Sequence, residues 1–260
     1  MKKEEIEAKN KYDLIAEFYH NFRTKENPKG WMYNEHLEMP ATLKLIGNVR
    51  AKKVLDFGCG SGIYTKILKN KGAKIKGFDI SESMLKIARD NLPDIEFKQG
   101  SGNKIPYNEK FDLVIASLVM DYFDDWSKPF KEVSRVLNSN GEFIFSIGNP
   151  ISETSIKYEV DGKRVKYEGI PVRIFGDYFS ERKIYGIWKN ILHKNKVRDI
   201  KMPTYHKTYE TVIKTILSNG FEIVDYIDCY PTKESQHLFP EEYKFLTRVP
   251  FFCSWKVKKK

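Results

Sequence analysis

Between residues 52 and 148, hydrophobic positions alternate between two spacings along the chain. Short apolar runs, which are typical of buried strands, are separated by longer segments with hydrophobic residues at helical spacing. The pattern predicts strands at 53–57, 74–80, 95–99, 111–118 and 141–147, and helices at 61–72, 81–92 and 127–141. Such alternation indicates a three-layer α/β fold, in which a doubly wound, mostly parallel sheet lies between two layers of helices.

The segments on both sides of this core follow other patterns. The N-terminal part predicts a helix at 3–22 and a second at about 34–48, with Pro40 delaying its regular start. Beyond residue 150 the alternation stops, and Asp161-Gly162 between alternating runs predicts a hairpin. The C-terminal part predicts one helix and two strands close enough to pair antiparallel, at 208–220, 221–230 and 251–257. With these two strands, the predicted sheet would have seven strands.

We therefore expect a chain organised in four parts. Residues 1–50 form a helical cap, and residues 51–150 form a ligand-binding core. Residues 151–205 form an insertion or lid for the substrate, and residues 206–260 complete the core sheet.

Composition restricts the class of protein. Of the 260 residues, 41% are hydrophobic and 31% are charged, which suits a soluble globular protein. No apolar run approaches the roughly 20 residues that cross a bilayer, and the N-terminus lacks the apolar segment of a signal peptide. Three scattered cysteines make neither a disulfide framework nor a zinc site. We expect a reduced, cytoplasmic protein without a bound metal.

The formal net charge is +10, from 45 basic and 35 acidic residues. A basic excess can mark a surface that binds nucleic acid, but the spread of the lysines favours a solvated exterior. Basic residues interleaved with aromatic residues within 151–205 keep RNA binding as an alternative. The lysine-rich C-terminal run 256–260 is expected to be mobile.

Three glycines within five positions follow the first predicted strand, in VLDFGCGSGIYTKIL at 54–68. A dinucleotide fingerprint requires a glycine where this chain has Ile63. A loop that binds triphosphates requires a lysine that this segment lacks at the matching place. Instead, Asp56 precedes Gly58 by two residues, and Asp79 ends the second predicted strand. The segment therefore contains neither the dinucleotide-binding motif nor the triphosphate-binding motif.

These features together resemble the class I S-adenosylmethionine-dependent methyltransferases. KVLDFGCGSG resembles the first motif of the family, KGFDIS its second-strand acidic motif, and FDLVIASLVMDYFDDW its fourth-strand segment. EVSRVLNSNGEFIFSI is similar to the helix and fifth strand that follow, while YDLIAEFY and GFEIVDY match more loosely. The resemblance implies an enzyme with S-adenosylmethionine as cofactor, covered by the N-terminal helices.

The resemblance also implies which residues contact the cofactor. Glycine backbones would approach its methionine and ribose without Cβ clashes, Asp79 would accept both ribose hydroxyls, and Asp56 would lie near the ammonium group. Ser101 stands where many relatives have an acidic residue facing the adenine amino group, so either Ser101 or Asn103 would bind the adenine. The other implied contacts are Tyr19, Tyr33, Gly58, Cys59, Gly60, Gly62, Ile80, Met84, Gly102, Ser117 and Leu118. Tyr12 belongs to the same N-terminal set of candidates as Tyr19 and Tyr33, and packing in the core is the alternative for Ile80, Met84, Leu118 and the three tyrosines.

Candidate catalytic residues are those expected beside the acceptor. Asp121 and Tyr122 follow the fourth strand, and His206 ends the insertion. An oxygen or carbon acceptor usually needs a base, and the ordinary pKa of histidine suits that role. The alternatives are an exposed Asp121, and a His206 that caps a helix or lies at the surface. A hydrophobic or planar acceptor would suit the aromatic residues of the insertion, namely Tyr158, Tyr167, Phe175, Tyr178, Phe179, Tyr185 and Trp188.

The sequence is compatible with three functions. The first is a methyltransferase that acts by in-line displacement on an O or N acceptor of a small molecule. The second is an RNA methyltransferase, although the fourth strand ends in SLVM (117–120) and lacks the Asn-Pro-Pro-aromatic motif of enzymes that methylate base amino groups. The third is a non-catalytic S-adenosylmethionine-binding protein, because the glycines and Asp79 indicate binding and not transfer. Neither the oligomeric state nor a membrane partner is indicated.

Overall fold

A computed structural model describes residues 3–24, 31–157, 159–160, 163–164, 166–172, 174–193 and 196–260. Its helices are α1 (Lys3–Thr24), α2 (Met39–Ile46), α3 (Ile63–Asn70), α4 (Glu82–Asn91), α5 (Ser127–Val136), α6 (Tyr209–Ser218), α7 (Ser235–Leu238) and α8 (Pro240–Leu246). A π-helical turn at Asn34–Glu38 leads into α2, so regular α-helix begins beside Pro40 as predicted. Two 3-10 turns occur at Met120–Tyr122 and Ser152–Thr154.

The strands of the main sheet and of a long antiparallel pair are β1 (Lys53–Phe57), β2 (Lys74–Asp79), β3 (Phe97–Gln99), β4 (Phe111–Ser117), β5 (Leu137–Gly148), β6 (Lys183–His193), β7 (Lys196–Tyr205), β8 (Phe221–Asp228) and β9 (Phe252–Lys259). Seven of them form one sheet in the order β8-β9-β5-β4-β1-β2-β3. Neighbours from β3 to β5 are parallel, while β9 pairs antiparallel with both β5 and β8. The predicted fold class and the antiparallel C-terminal pair are confirmed.

Alternate residues of the central strands face two separate hydrophobic layers. On one face, the buried Leu55 and Val114 belong to a cluster with Phe130 of α5 and Val212 of α6. On the other face, residues such as Val54 pack with side chains of α2 and α3. A parallel sheet that is covered on both faces needs nearly continuous apolar strands, and this requirement explains the sequence pattern.

The structure corrects two predictions near the end of the core. The helix predicted at 127–141 ends at Val136, because Leu137 already pairs with Phe111 of β4. The lysine-rich C-terminus is not a mobile tail, since β9 extends to Lys259. Lys256 forms a 2.7 Å ion pair with Glu142 of β5, which binds the tail to the sheet.

The insertion contains a long antiparallel hairpin of β6 and β7 that the sequence did not predict. Its buried Ile191, Ile200 and Met202 pack against Ile15 of α1. The predicted turn Asp161-Gly162 lies outside the described residues, although the short strands on either side of it pair antiparallel. The short strands of the insertion are Ser155–Lys157, Glu159–Val160, Lys163–Arg164, Lys166–Tyr167, Ile170–Pro171 and Ile174–Phe175.

Within the described ranges, none of the helices has the length and apolar character needed to cross a membrane. Among those same residues, His, Cys, Asp and Glu side chains nowhere form a group of three or more suited to a metal ion. All three cysteines are free thiols in buried positions.

Candidate active site

The reversal of strand order creates a ligand site at the carboxyl ends of β1 and β4. From β1, the sheet continues to β2 and β3 on one side and to β4 and β5 on the other. Ligands of open α/β sheets bind at such reversal points. The glycine-rich loop 58–62 leaves β1 here, and Asp79 ends the neighbouring β2. Two sequence motifs therefore meet at one edge of the sheet.

The loop after β1 requires glycine for more than one reason. Gly58, Gly60 and Gly62 have φ angles of 69°, 52° and 83°, a region that L-amino acids rarely adopt. A Cβ on Gly58 would lie 2.5 Å from Val119 Cγ2, so this glycine allows the turn after β4 to pack against the loop. A Cβ on Gly60 would meet no atom within 4 Å. At Gly60 the backbone is therefore open to a ligand.

Asp79 is held at the end of β2 by backbone donors. Gly60 N–H donates to Oδ2 and Ser81 N–H to Oδ1, each at 2.8 Å. Burial raises the pKa of the Asp79 carboxyl to about 6, while these backbone bonds act to lower it. An ionised carboxylate accepts about four hydrogen bonds, so Asp79 can accept from a ligand in addition to these backbone donors.

Asp56 is a second buried carboxyl group of this site. It accepts a 2.6 Å hydrogen bond from the Thr65 hydroxyl of α3. Burial raises its pKa to about 7, and the negative charge of Asp79 adds to this, while the Thr65 bond lowers it. A cationic group beside Asp56 would favour the ionised form. The neighbouring Cys59 donates its backbone N–H to Phe78 O at 3.0 Å, and burial raises the pKa of its thiol.

The turn after β3 contains an unusual buried amide. The Ser101 hydroxyl donates to the Glu5 carboxylate of α1 and accepts the Asn103 backbone N–H at 3.0 Å. The Asn103 side chain is buried, and neither of its polar atoms has a hydrogen-bond partner among the described residues. Gly102 is packed against Phe57, with no room for a Cβ. An unpaired buried polar group costs about 1–3 kcal/mol, so this turn suits a ligand with both a donor and an acceptor.

Ser117, at the end of β4, belongs to a polar cluster that the sequence did not predict. The fully buried Glu38 accepts hydrogen bonds of 2.5–3.0 Å from the hydroxyls of Thr42, Tyr64, Ser117 and Ser146. Leu118 follows with φ +52° and donates its N–H to the Ser146 hydroxyl at 3.0 Å. The sequence contained one signal for this cluster. Glu38 lies between the apolar residues Leu37 and Met39, and a charged residue buried among apolar neighbours needs polar partners.

Of the other residues predicted to contact the cofactor, two lie near Asp79 and one packs against the C-terminal part of the chain. Met84 is buried in α4 with its N–H bonded to the Ser81 hydroxyl, and Ile80 is half-buried directly after β2. Both therefore lie near Asp79. Tyr33 packs against Phe251, with 4.8 Å between ring centroids, among residues of the C-terminal part. Its contact with the cofactor stays a prediction.

Helix α1 crosses the ends of three strands. In the loop after each of β1, β2 and β3, a serine forms a hydrogen bond with a different side chain of α1. The pairs are His20 with Ser61, Asp13 with Ser81, and Glu5 with Ser101. The first two bonds are 3.0 and 2.6 Å long. The sequence analysis missed all three, although intervals of 8 and 7 residues place these polar side chains on one face of the helix.

These groups fit S-adenosylmethionine. The site offers an acceptor for a diol at Asp79, a carboxyl group for an ammonium at Asp56, an open backbone at Gly60 and an unpaired amide at Asn103. Residues 58–62 include no lysine or arginine for a phosphate.

Residues 55–145 match the family model described as "Methyltransferase domain". The fold is similar to that of an S-adenosylmethionine-dependent methyltransferase from Mesorhizobium loti, with a TM-score of 0.68 and 27% identity over 85% of this chain and 97% of that one. This chain belongs to the class I S-adenosylmethionine-dependent methyltransferases. The predicted enzyme class and cofactor are thereby confirmed.

Two relatives show how far the similarity extends. The methyltransferase is 30% identical to an uncharacterized protein of Haemophilus influenzae over 95% of both chains. It is 37% identical to a demethylmenaquinone methyltransferase of Chlorobaculum parvum, over 38% of this chain and 42% of that enzyme. The chain thus matches less than half the length of the relative with a named activity.

An aromatic cluster of Tyr12, Tyr19, Trp31, Tyr122 and Trp188 lies beside the turn after β4. The hydroxyls of Tyr12 and Tyr122 are 2.6 Å apart and share a hydrogen bond. The other contacts place ring centroids 5.3–6.4 Å apart. The cluster joins α1, the segment before α2, the turn after β4 and strand β6, and the sequence analysis missed Trp31.

Asp121 is half-buried in the same turn as Tyr122. Gly148 N–H donates to its Oδ2 at 2.7 Å, and the Glu153 carboxylate also lies against Gly148. Burial raises the pKa of the Asp121 carboxyl well above its usual range, with a further contribution from Glu153 and an opposing one from Lys207. Its protonated form is therefore favoured more than that of an ordinary aspartate.

His206 is held by hydrogen bonds to backbone carbonyl groups of the insertion. Its backbone N–H donates to Arg182 O at 3.0 Å, and its Nε2 bonds to Tyr178 O at 2.8 Å. The ring is buried, and Nδ1 has no partner in the part of the chain that the structure describes. No hydrogen bond between described residues joins His206 to Asp121 or Tyr122, so the three predicted catalytic residues are not directly connected.

Most aromatic residues of the insertion lie at the surface. Tyr167, Phe179 and Tyr185 are 67%, 88% and 51% exposed, and Phe175 is also exposed. Trp188 joins the aromatic cluster, and Tyr178 contacts His206. Tyr158 lies outside the described residues. The described members of this group therefore do not form the wall of a single pocket.

Proposed function

We propose that this methyltransferase transfers a methyl group, by in-line displacement, to an oxygen or nitrogen atom of a small planar acceptor. The aromatic cluster beside the turn after β4 carries this proposal. Its rings offer flat apolar surface, and the Tyr12 and Tyr122 hydroxyls offer polar groups at the edge of that surface. Residues 151–205 contribute Trp188 and would act as a lid over the acceptor, while residues 1–50 would cap the cofactor.

We assign the cofactor contacts from the same geometry. S-adenosylmethionine supplies a methyl group on a positively charged sulfur, which is already activated for displacement. Asp79 accepts the ribose hydroxyls, Asp56 lies near the ammonium group, and Asn103 binds the adenine edge. Further contacts come from Tyr19, Tyr33, Gly58, Cys59, Gly60, Gly62, Ile80, Met84, Ser101, Gly102, Ser117 and Leu118.

Three residues are proposed to act on the acceptor. Tyr122 would donate a hydrogen bond that orients its polar group, and Asp121, whose carboxyl pKa is raised by desolvation, would hold that group from the same turn. His206 would remove the proton from an oxygen acceptor through its unpartnered Nδ1. Orientation and exclusion of water supply much of the rate acceleration in such a displacement.

Replacing Gly60 with alanine should weaken cofactor binding about 10- to 100-fold. The new Cβ meets no protein atom within 4 Å, so it would intrude on the space assigned to the ligand. Calorimetric titration with S-adenosylhomocysteine measures the effect. Gly220→Ala is the matched control, because Gly220 also has positive φ and open space around its Cβ position, but follows α6 away from the site. Equal affinities for the two variants would contradict the assignment of this space to the cofactor.

A labelling experiment tests the proposed acceptor class. The purified enzyme and methyl-labelled S-adenosylmethionine are incubated with separate small-metabolite and RNA fractions of a cell extract. We expect label in the small-metabolite fraction, and mass spectrometry then distinguishes O-methyl from N-methyl products. Label confined to RNA would instead favour the basic insertion as an RNA-binding surface. Absence of label in both fractions would favour a non-catalytic binding protein.

A further inference from the structure

We propose that Glu5 of α1 accepts a hydrogen bond from the adenine amino group and so determines which purine the enzyme accepts. This inference rests on the proposed cofactor site and adds a residue that the site does not yet include. In the sheet, β3 lies next to β2 on the side away from β1. A ligand held at the glycine-rich loop after β1 and at Asp79 after β2 therefore has its base nearest the turn after β3.

The turn after β3 has no acidic side chain of its own next to Ser101. Glu5 is 3% exposed, and its carboxylate accepts the Ser101 hydroxyl hydrogen bond, which brings a negative charge to this turn from α1. A carboxylate can accept several hydrogen bonds at once. A bond from Ser101 is therefore compatible with a further donor to the same carboxylate.

Asn103 gives independent evidence for a ligand at this turn. Its backbone N–H bonds to Ser101 Oγ at 3.0 Å, so Asn103 and Glu5 both adjoin the same serine. Its side-chain amide is more than nine-tenths buried, and both polar atoms lack a partner among the described residues. The edge of adenine presents an amino donor beside ring-nitrogen acceptors. That pattern complements a carboxylate next to an amide.

Other contacts of α1 hold Glu5 in place. Asp13 accepts hydrogen bonds from the Ser81 hydroxyl at 2.6 Å and from Ser83 N–H at 3.2 Å, at the start of α4. His20 bonds to Ser61 of the glycine-rich loop at 3.0 Å. Because α1 is attached at all three cofactor loops, the Glu5 carboxylate occupies one defined position. Recognition of the base is thereby coupled to docking of α1.

Calorimetry with S-adenosylhomocysteine and its 6-deamino analogue, in which hydrogen replaces the purine amino group, tests this proposal. The wild-type enzyme should bind the amino ligand about 10- to 100-fold more tightly, the usual effect of one hydrogen bond to a charged acceptor. In Glu5→Ala, the two ligands should bind within about threefold of each other. Glu5→Gln keeps a carbonyl acceptor and should retain part of the preference.

Glu17→Ala is the matched control, because Glu17 is an exposed glutamate on the same helix. It should retain the full preference for the amino ligand. If Glu5→Ala weakens both ligands equally and keeps their ratio, Glu5 only positions the helix and the proposal is wrong. If the wild-type enzyme binds neither ligand, the proposed cofactor site fails as a whole, a result distinct from loss of discrimination.

Discussion

Replacing Asp79 with alanine is expected to weaken S-adenosylmethionine binding by about 100- to 10,000-fold. Each ribose hydroxyl would donate to a charged acceptor, and one such bond contributes roughly 1.5–3 kcal/mol. Two bonds together correspond to about 3–6 kcal/mol, and each 1.4 kcal/mol changes affinity about tenfold. Calorimetric titration measures the loss. Unaltered affinity would overturn the role assigned to Asp79.

A control variant and a stability measurement distinguish lost ligand binding from a damaged fold. Asp94→Ala removes an exposed carboxylate that pairs with Lys69 at 2.6 Å, and it should leave the affinity unchanged. Thermal unfolding must be recorded for Asp79→Ala, because the loss of the hydrogen bonds from Gly60 and Ser81 also affects the fold. The affinity loss should persist well below the unfolding temperature of the variant.

The raised pKa of Asp79 predicts a pH dependence with a definite sign. Burial favours the protonated carboxyl and raises its pKa to about 6. The ionised form, which accepts both ribose hydroxyls, therefore increases as pH rises through about 6 and is lost below it. Affinity should fall as pH is lowered through this range. Asp79→Asn should bind weakly and lack this transition, whereas Asp56 would still titrate, with its pKa lowered from about 7 because the Asp79 charge is removed.

Replacing His206 with alanine is expected to lower kcat by about 100- to 10,000-fold for an oxygen acceptor, the usual contribution of a general base. A carbonyl oxygen only accepts hydrogen bonds, so the 2.8 Å contact with Tyr178 O assigns the proton to Nε2. Nδ1 is then an unprotonated acceptor, buried and without a partner among the described residues. The dissociation constant of S-adenosylmethionine should change less than about threefold.

The pH profile separates a base from a structural histidine. Burial lowers the pKa of His206 from its ordinary value of 6.5, so kcat should rise with pH through an apparent pKa below this value and then level off. This limb should disappear in His206→Ala. The control is His237→Ala, which changes an exposed histidine in α7 and should leave the profile intact. A His206→Ala enzyme with an undiminished rate on its true acceptor would exclude the assignment.

Much of the fold was predictable because its determinants are local. Apolar runs such as 53–57 and 111–118 alternate with segments of helical spacing, and the sheet has the predicted mostly parallel class. The boundary at Leu137 was not predictable from propensity, since pairing with Phe111 of β4 extends the strand into a segment assigned to the helix. The β6–β7 hairpin was also missed, because its order depends on packing against α1.

The residues proposed for the cofactor were found more readily than those around them. Asp56, Gly58, Gly60 and Asp79 lie within 24 positions of one another, at the ends of adjacent strands. Glu38 is different, because three of the four hydroxyl groups that compensate its burial, those of Tyr64, Ser117 and Ser146, come from elements distant in sequence. Nothing in its local sequence specifies those three partners.

The sequence by itself determined the α/β class, the methyl donor and the enzyme family of this protein. Motifs for the donor lie at fixed short distances along the chain, because successive strand ends of one sheet hold successive parts of the ligand. Only the tertiary structure brought Tyr12, Tyr122 and Trp188 into one aromatic cluster and placed Glu5 against Ser101. The contacting residues are up to 176 positions apart in the chain, as for Tyr12 and Trp188, and packing of α1 and the insertion against the sheet decides whether they meet.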